Sequence, residues 1–162
     1  MKTIIVAYDK KYGIGAKNDL LWQRDLPTDM AHFKEATTGG AVIMGMHTYT
    51  SMGRPLPGRQ NIVISRSAES IPGVIVVNSL EAAYAAVEAD RETYVIGGGQ
   101  IYALALDSVD AINATEVDAV FEQADTFFTP IDLSIWNEVS REHHKKNNKD
   151  HYDFDFVNYV RR

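Results

Sequence analysis

The stretch Thr93-Tyr94-Val95-Ile96-Gly97-Gly98-Gly99-Gln100-Ile101-Tyr102 decides the fold class. Four β-prone residues run into three glycines, and a helix-length segment continues to about Leu106. That order reads as strand, tight break, helix. The same alternation recurs on both sides. Residues 3–8 read as a short buried strand. Pro27-Thr28-Asp29 opens a helix to about Thr38, with Gly39-Gly40 as its stop. Ala41–Met44 reads as a strand, followed by a helical turn or two to about Met52. Strands are expected at 61–64, 74–77 and 111–116, and Ser79 caps a helix over 80–89. Residues 135–141 and 152–160 read as two antiparallel strands joined by a polar loop. The expected fold is α/β: a single domain over 1–162, with a central, mostly parallel eight-stranded sheet, an antiparallel C-terminal hairpin and about four flanking helices.

At 162 residues the length suits one domain, and 45% hydrophobic with 23% charged residues excludes disorder and coiled coil. Sixteen Lys+Arg against twenty-two Asp+Glu give a net charge of −6, which argues against a nucleic-acid or anionic-membrane partner. The acids are uneven: none falls between Glu35 and Glu69, whereas Arg54, Arg59 and Arg66 do. This points to a local positive field and an anionic ligand. With no cysteine, disulfides, thiolate metal sites and cysteine nucleophiles are excluded. The apolar run before Asp9 is too short for a signal-peptide core, and no stretch approaches the roughly 20 apolar residues of a membrane span. A cytoplasmic protein is expected. Residues 9–26, with Gly13, Gly15 and Asn18, form a connection long enough to suggest a functional loop.

In parallel α/β sheets, ligands sit outside the carboxyl ends of the strands. The glycines after Ile96 would let backbone approach a pyrophosphate at a helix start, though they form neither GxGxxG nor a Walker A motif. Gly45-Met46-His47-Thr48 follows a second strand, and Ser65-Arg66-Ser67, suited to a phosphate monoester, follows a third. Taken singly, each reads better as an ordinary polar turn; together on one sheet edge they favour a dinucleotide cofactor. Asp29 lies in the first turn of its helix, where dipole complementarity alone would explain it. Phe33 at i+4 shares its face, whereas His32, assigned to the solvent side, and Glu35 fall elsewhere. A carboxylate beside a buried aromatic would hold its proton more tightly and could bind an amidine-like heterocycle. Lys34 and Arg59 could meet a carboxylate at the ligand's other end. His143, His144 and His151 lie in a charged segment that reads as a solvated hairpin rather than a metal site.

These residues together resemble bacterial dihydrofolate reductase over essentially the whole chain. The matching motifs are Gly13-Ile14-Gly15 with Asn18 and Trp22, Leu26-Pro27-Thr28-Asp29-Met30 with Phe33-Lys34, Val42-Ile43-Met44-Gly45, residues 53–65 from Gly53-Arg54-Pro55 to Ile64-Ser65, residues 95–102, and Thr115. The resemblance implies reduction of 7,8-dihydrofolate to tetrahydrofolate by NADPH, with hydride passing to pterin C6 and a proton to N5 from water admitted beside Leu20. It implies that Asp29 orients and polarises the pterin, that Thr115 supports it, and that Trp22 belongs to the catalytic set. Ile5, Ala7, Met30, Phe33, Met52, Leu56 and Ile96 would line the substrate, with Arg59 on the glutamate α-carboxylate and Lys34 assisting.

For the cofactor, the resemblance implies Ala7, Ile14, Gly15, Ile96 and Tyr102 around the nicotinamide, with Asn18 and Ile101 also among the cofactor-binding residues. Gly45, Met46, His47, Thr48, Gly97, Gly98, Gly99 and Gln100 would stand along the phosphates, with Ser65, Arg66 and Ser67 beside the adenosine 2′-phosphate. Residues 9–24 match the family's mobile active-site loop. Met46 stands where the family usually has an arginine, and Gln100 where it is often basic, which implies fewer cations on the phosphates. No metal is implied, antifolates could bind, and a monomer is expected. A related pteridine or pyrimidine reductase would not need the Asp29–Phe33 pair together with Arg59. A nucleotide-binding module without catalysis would not need Asp29, Trp22 and Thr115.

Overall fold

The computed structural model describes residues 1–16, 21–22, 25–67 and 70–162. Eight strands form one sheet in the order β5-β4-β3-β6-β1-β7-β10-β9. They are β1 (Lys2–Tyr8), β3 (Ala41–Gly45), β4 (Gln60–Ile64), β5 (Ile75–Val77), β6 (Thr93–Gly97), β7 (Ala111–Val117), β9 (Trp136–His144) and β10 (Phe154–Arg161). Pairings from β5 through to β7 are parallel, and β10 lies antiparallel to both β7 and β9. The helices are α1 (Pro27–Thr37), α2 (Met46–Met52), α3 (Leu80–Ala86) and α4 (Gly99–Ala105).

The central strands are continuous apolar runs because both their faces are covered. Ile4, Val42, Ile43, Met44 and Val95 are wholly buried. Alternation along β1 sends Ile4, Val6 and Tyr8 into a core with Ile101, Tyr102 and Ala83, and sends Ile5 to the other face with Val42, Met44, Val63 and Ile96. Edge strand β9 is exposed along most of its length and carries Glu138, Arg141 and Glu142, charges that discourage edge-to-edge pairing.

Three features depart from the sequence-based expectation. The first hairpin strand runs further and the second starts later, at Phe154 rather than Tyr152, so His143 and His144 sit within β9 rather than in its loop. Helix α3 stops at Ala86 instead of Ala89. A second, two-stranded sheet pairs β2 (Gly13–Gly15) with β8 (Thr126–Phe127).

The N-terminus of α1 has an unexpected partner. Leu26 at the N-cap position offers no side-chain acceptor. Asp150, from the β9–β10 loop, accepts from the Thr28 amide at 3.0 Å and from the Thr28 hydroxyl. A carboxylate 122 residues away thus satisfies an orphan helix donor and complements the dipole. Burial alone would raise its pKa, but bonds from Thr28 and Asn147 hold the carboxyl below its usual range. That share of stability is present above the unfolded value of about 3.9 and is lost as acid titrates through the lowered folded value.

Candidate active site

Asp29 and Thr115 meet where α1 crosses β7: Thr115 Oγ1 donates to Asp29 Oδ1 at 2.6 Å. Burial raises the Asp29 carboxyl above its usual range; the Thr115 hydrogen bond and nearby His32 pull it back, and Asp150 pushes it up again. The result is a half-buried acid whose charged form is costly until something cationic or hydrogen-bonding meets it. Ile5, Ile96, Phe33, Met52 and Leu56 gather in one apolar cluster beside the same sheet face, and Met46 packs into it. Trp22 is buried with Leu21, Leu26, Val117 and Phe154, flanked by Ala7. Met30 and Lys34 are exposed on α1. Leu20 and Asn18 lie outside the described residues.

Arg59 is held by its own neighbourhood. Its Nε donates to the Pro57 carbonyl at 2.9 Å and its Nη1 to Thr37 Oγ1 at 3.1 Å. Thr37 is the fully buried residue of α1, and its hydroxyl also donates to the Phe33 carbonyl. Asn61 fixes the preceding loop by accepting from the Leu56 amide and donating to the carbonyls of Leu56 and Arg59. In the sequence Asn61 is one residue of the 53–65 motif with no role assigned, and Thr37 does not stand out; a hydroxyl at i+4 from Phe33, on the same helix face, is the available sign.

The glycine-rich edge ends β6 and opens α4. Gly97 has φ of 122°, and a Cβ there would come within 3.3 Å of the Tyr102 ring. A Cβ on Gly99 would lie 2.7 Å from Thr126 Cγ2, so only glycine fits against β8. The Tyr102 hydroxyl, fully enclosed, bridges the carbonyls of Ile5 at 2.8 Å and Ile96 at 2.9 Å, tying the middle of β1 to the carboxyl end of β6. Burial raises its pKa, so it stays a donor. Thr48 approaches Gly98, and Gly45 packs against Ile101. Ser65 and Ser67 pair through their hydroxyls at 2.9 Å beside exposed Arg66. His47 and Gln100 are exposed.

A cavity of about 330 Å³ lies on the opposite side of β1 and β7, lined by Tyr8, Glu116, His143 and Asp155 among others. Its polar groups satisfy one another. Tyr8 and Tyr159 both donate to Glu116 Oε2 at 2.7 Å, and Arg141 bridges Glu116, Asp155 and Glu138. This network clamps β7, β10 and β9 together rather than leaving groups poised for chemistry.

Sequence comparison adds the identity of this arrangement. The family model "Dihydrofolate reductase" matches residues 1–161. Dihydrofolate reductase of Bacillus subtilis is 39% identical, aligned over 100% of this chain and 95% of that protein. Dihydrofolate reductase type 3 of Salmonella typhimurium is 42% identical over 96% of this chain and 94% of its own length. A solved dihydrofolate reductase from Enterococcus faecalis, complexed with NADP(H) and RAB-propyl, superposes with a TM-score of 0.90 at 32% identity, covering 99% of this chain and 96% of that one. With its acid, apolar wall and glycine edge all carried on the matched fold, the chain belongs to the dihydrofolate reductase family, the NADPH-dependent oxidoreductases that reduce dihydrofolate.

Proposed function

We propose that the chain, acting as one domain over residues 1–162, performs its family's reaction with Asp29 as the carboxylate that meets the pterin. The observation that carries this assignment is the half-buried Asp29 carboxyl, bonded by Thr115 beside an apolar wall. Its oxygens would accept from the pterin 2-amino group and N3, two donors side by side, as a carboxylate does for an amidine. Accepting there draws electron density onto the ring and favours protonation at N5, with water as the proton source. Ile5, Phe33, Met52, Leu56 and Ile96 would sandwich the pterin and benzoyl rings and exclude bulk water, and Ala7, Met30 and Trp22 would complete that lining.

The glycine edge fits a dinucleotide: Gly97, Gly98 and Gly99 present backbone without Cβ obstruction, with Gly45 and Thr48 beside them. NADPH bound there supplies the hydride delivered to pterin C6. Ile14, Gly15, Ile101 and Tyr102 would shape the nicotinamide end. Thr48, His47 and Gln100 would flank the phosphates, and Ser65, Arg66 and Ser67 would take the adenosine 2′-phosphate. Met46 is packed among apolar residues and adds no charge, so Arg66 carries more of the preference for the phosphorylated cofactor. Among the described residues no helix is long and apolar enough to cross a membrane. A cytoplasmic monomer without a nucleic-acid partner agrees with the acidic charge balance.

Mixing the protein with NADPH and dihydrofolate should consume reduced nicotinamide absorbance; folded protein without turnover would overturn the assignment. Arg59 would take the glutamate α-carboxylate. Arg59→Lys should raise the KM for dihydrofolate about tenfold with little change in kcat, the weight of one charge-assisted hydrogen bond. Thr37→Val, which removes the acceptor that aims Arg59, should raise it by about fivefold. A dihydropterin lacking the benzoylglutamate tail should not distinguish either variant from the parent. Unchanged KM for dihydrofolate in Arg59→Lys would remove this contact.

A further inference from the structure

The first turn of α1 is closed from outside the helix. Pro27 has no amide hydrogen, and the amides of Asp29 and Met30 both donate to the Leu26 carbonyl, at 3.1 and 3.2 Å. Among the described residues the Thr28 amide is met only by Asp150, which also accepts from the Thr28 hydroxyl. One side chain thus takes both polar hydrogens of the residue that precedes Asp29. Asp150 is buried, and its loop is held in turn. Asn147 Oδ1 accepts from the amides of Lys149 and Asp150 at 2.8 Å, and the Asn147 amide donates to the Asp150 carbonyl at 2.7 Å. The His151 amide donates to the Asp25 carbonyl at 2.9 Å, and the Asp118 amide, next after β7, donates to the Asp153 carbonyl at 2.9 Å.

We propose that Asp150 is a positioning residue for the reaction: acting through Thr28, it fixes the first turn of α1 so that the Asp29 carboxylate stands in register with Thr115 and with the paired donors of the pterin. The catalytic consequence rests on the assignment of Asp29 made above; the closure of the turn does not.

Asp29, the third residue of α1, is anchored from two sides. Thr115 on β7 holds its carboxylate, and Asp150 holds the main chain one residue before it. The Thr115 bond alone leaves the carboxylate free to pivot about Oδ1, whereas two donors side by side require both oxygens fixed in one plane. Both anchors trace to β7, because the loop that carries Asp150 is bonded to the residue just after that strand. A first turn with an unmet donor frays, and fraying here displaces Asp29. The role is one of shape rather than charge. Asparagine at this position would present its oxygen to the Thr28 amide and donate from its nitrogen to the Thr28 hydroxyl, which accepts as readily as it donates. A negative charge near Asp29 opposes its ionisation, so loss of charge alone would help the reaction rather than hinder it.

Two readouts on the full chain test this. In Asp150→Ala, amide hydrogen exchange at Thr28, Asp29 and Met30 should quicken by about tenfold, while the later amides of α1 keep the parent's protection. The kcat/KM for dihydrofolate should fall by about 10–100-fold, the weight of a displaced reacting group. The Kd for NADPH should stay within about twofold, since its site lies on other elements. Asp150→Asn should keep kcat/KM within about threefold of the parent, because both contacts survive. Thr28→Val keeps the amide bond and loses the hydroxyl one; it should lower kcat/KM by about fivefold and decides the matter if Asp150→Ala does not fold. First-turn exchange that does not quicken, parent-like kcat/KM in folded Asp150→Ala or in Thr28→Val, equal losses in Asp150→Asn and Asp150→Ala, or a matching loss of NADPH affinity overturns the positioning role. A folded parent without turnover would instead remove the Asp29 assignment, and with it the catalytic role, leaving a closed turn that the exchange data still report.

Discussion

Replacing Asp29 with asparagine is expected to lower turnover of dihydrofolate at neutral pH by about 10²–10⁴-fold, the usual weight of a positioned acid–base group. Part of that loss should return in acid, where substrate arrives already protonated and no longer needs the carboxylate. A pH series of kcat/KM for the parent and Asp29→Asn checks this; equal neutral-pH rates would contradict the assigned role. The same substitution should act oppositely on the fold. The Asp29 carboxyl is raised in the folded protein, so the native state binds its proton more tightly than the unfolded chain does. Stability is therefore given up as pH rises from the unfolded value of about 3.9 through the raised folded value, and the deficit persists above it. An asparagine never ionises and can still accept from Thr115. Asp29→Asn should melt at a higher temperature than the parent at neutral pH, with the gap closing below about pH 4. A melting temperature equal to or below the parent's at neutral pH would mean that the ionised carboxylate is well satisfied without ligand.

The second large effect is expected at Asp9, which is 2% exposed. Its Oδ1 accepts from the amides of Lys11 at 2.9 Å and Gly13 at 2.8 Å, and its Oδ2 from the amide of Phe121 at 2.9 Å. One carboxylate thereby closes the turn into β2 and ties it to the segment that leads into β8. Asp9→Ala leaves three backbone donors without their acceptor at once. At about 1–3 kcal/mol for each buried donor left unpaired, and with water recovering some, the loss should reach about 3–5 kcal/mol. Urea unfolding would show it as a lower midpoint with an unchanged slope. Because β2 carries Ile14 and Gly15, the KM for NADPH should rise as well. A stability change below about 1 kcal/mol would show that water replaces the carboxylate without difficulty.

The α/β alternation was plain in the sequence because β1, β3, β4 and β6 are unbroken apolar runs and Gly39, Gly53 and Gly97–Gly99 punctuate them. The paired β2 and β8 were not, since three and two residues carry no usable periodicity and the pairing depends on Asp9 acting across the chain. Asp29 and Phe33 were legible as one face of α1. His32 was not, and was wrongly assigned to solvent, because the docking face of this helix is mostly polar. Asp29, His32, Phe33, Ala36 and Thr37 keep the spacing of an apolar stripe while hydrogen bonds to Asn113, Thr115 and Arg59 replace much of the oil. A reading keyed to hydrophobicity passes over such a face. Asp150 was equally hidden, since no local signal marks a helix cap that arrives from another part of the chain.

That remote cap sets an order of events during synthesis. The residues of α1 leave the ribosome 122 positions before the carboxylate that closes their first turn. Strand β10, which fills the gap between β7 and β9, comes later still. At common translation rates the interval is on the order of ten seconds. Until it ends, the helix bearing Asp29 has an unclosed first turn beside an unfinished sheet. A nascent chain stalled within that window should be sensitive to protease at α1 and bind neither folate nor antifolate, and both properties should change together once Asp150 and β10 have emerged.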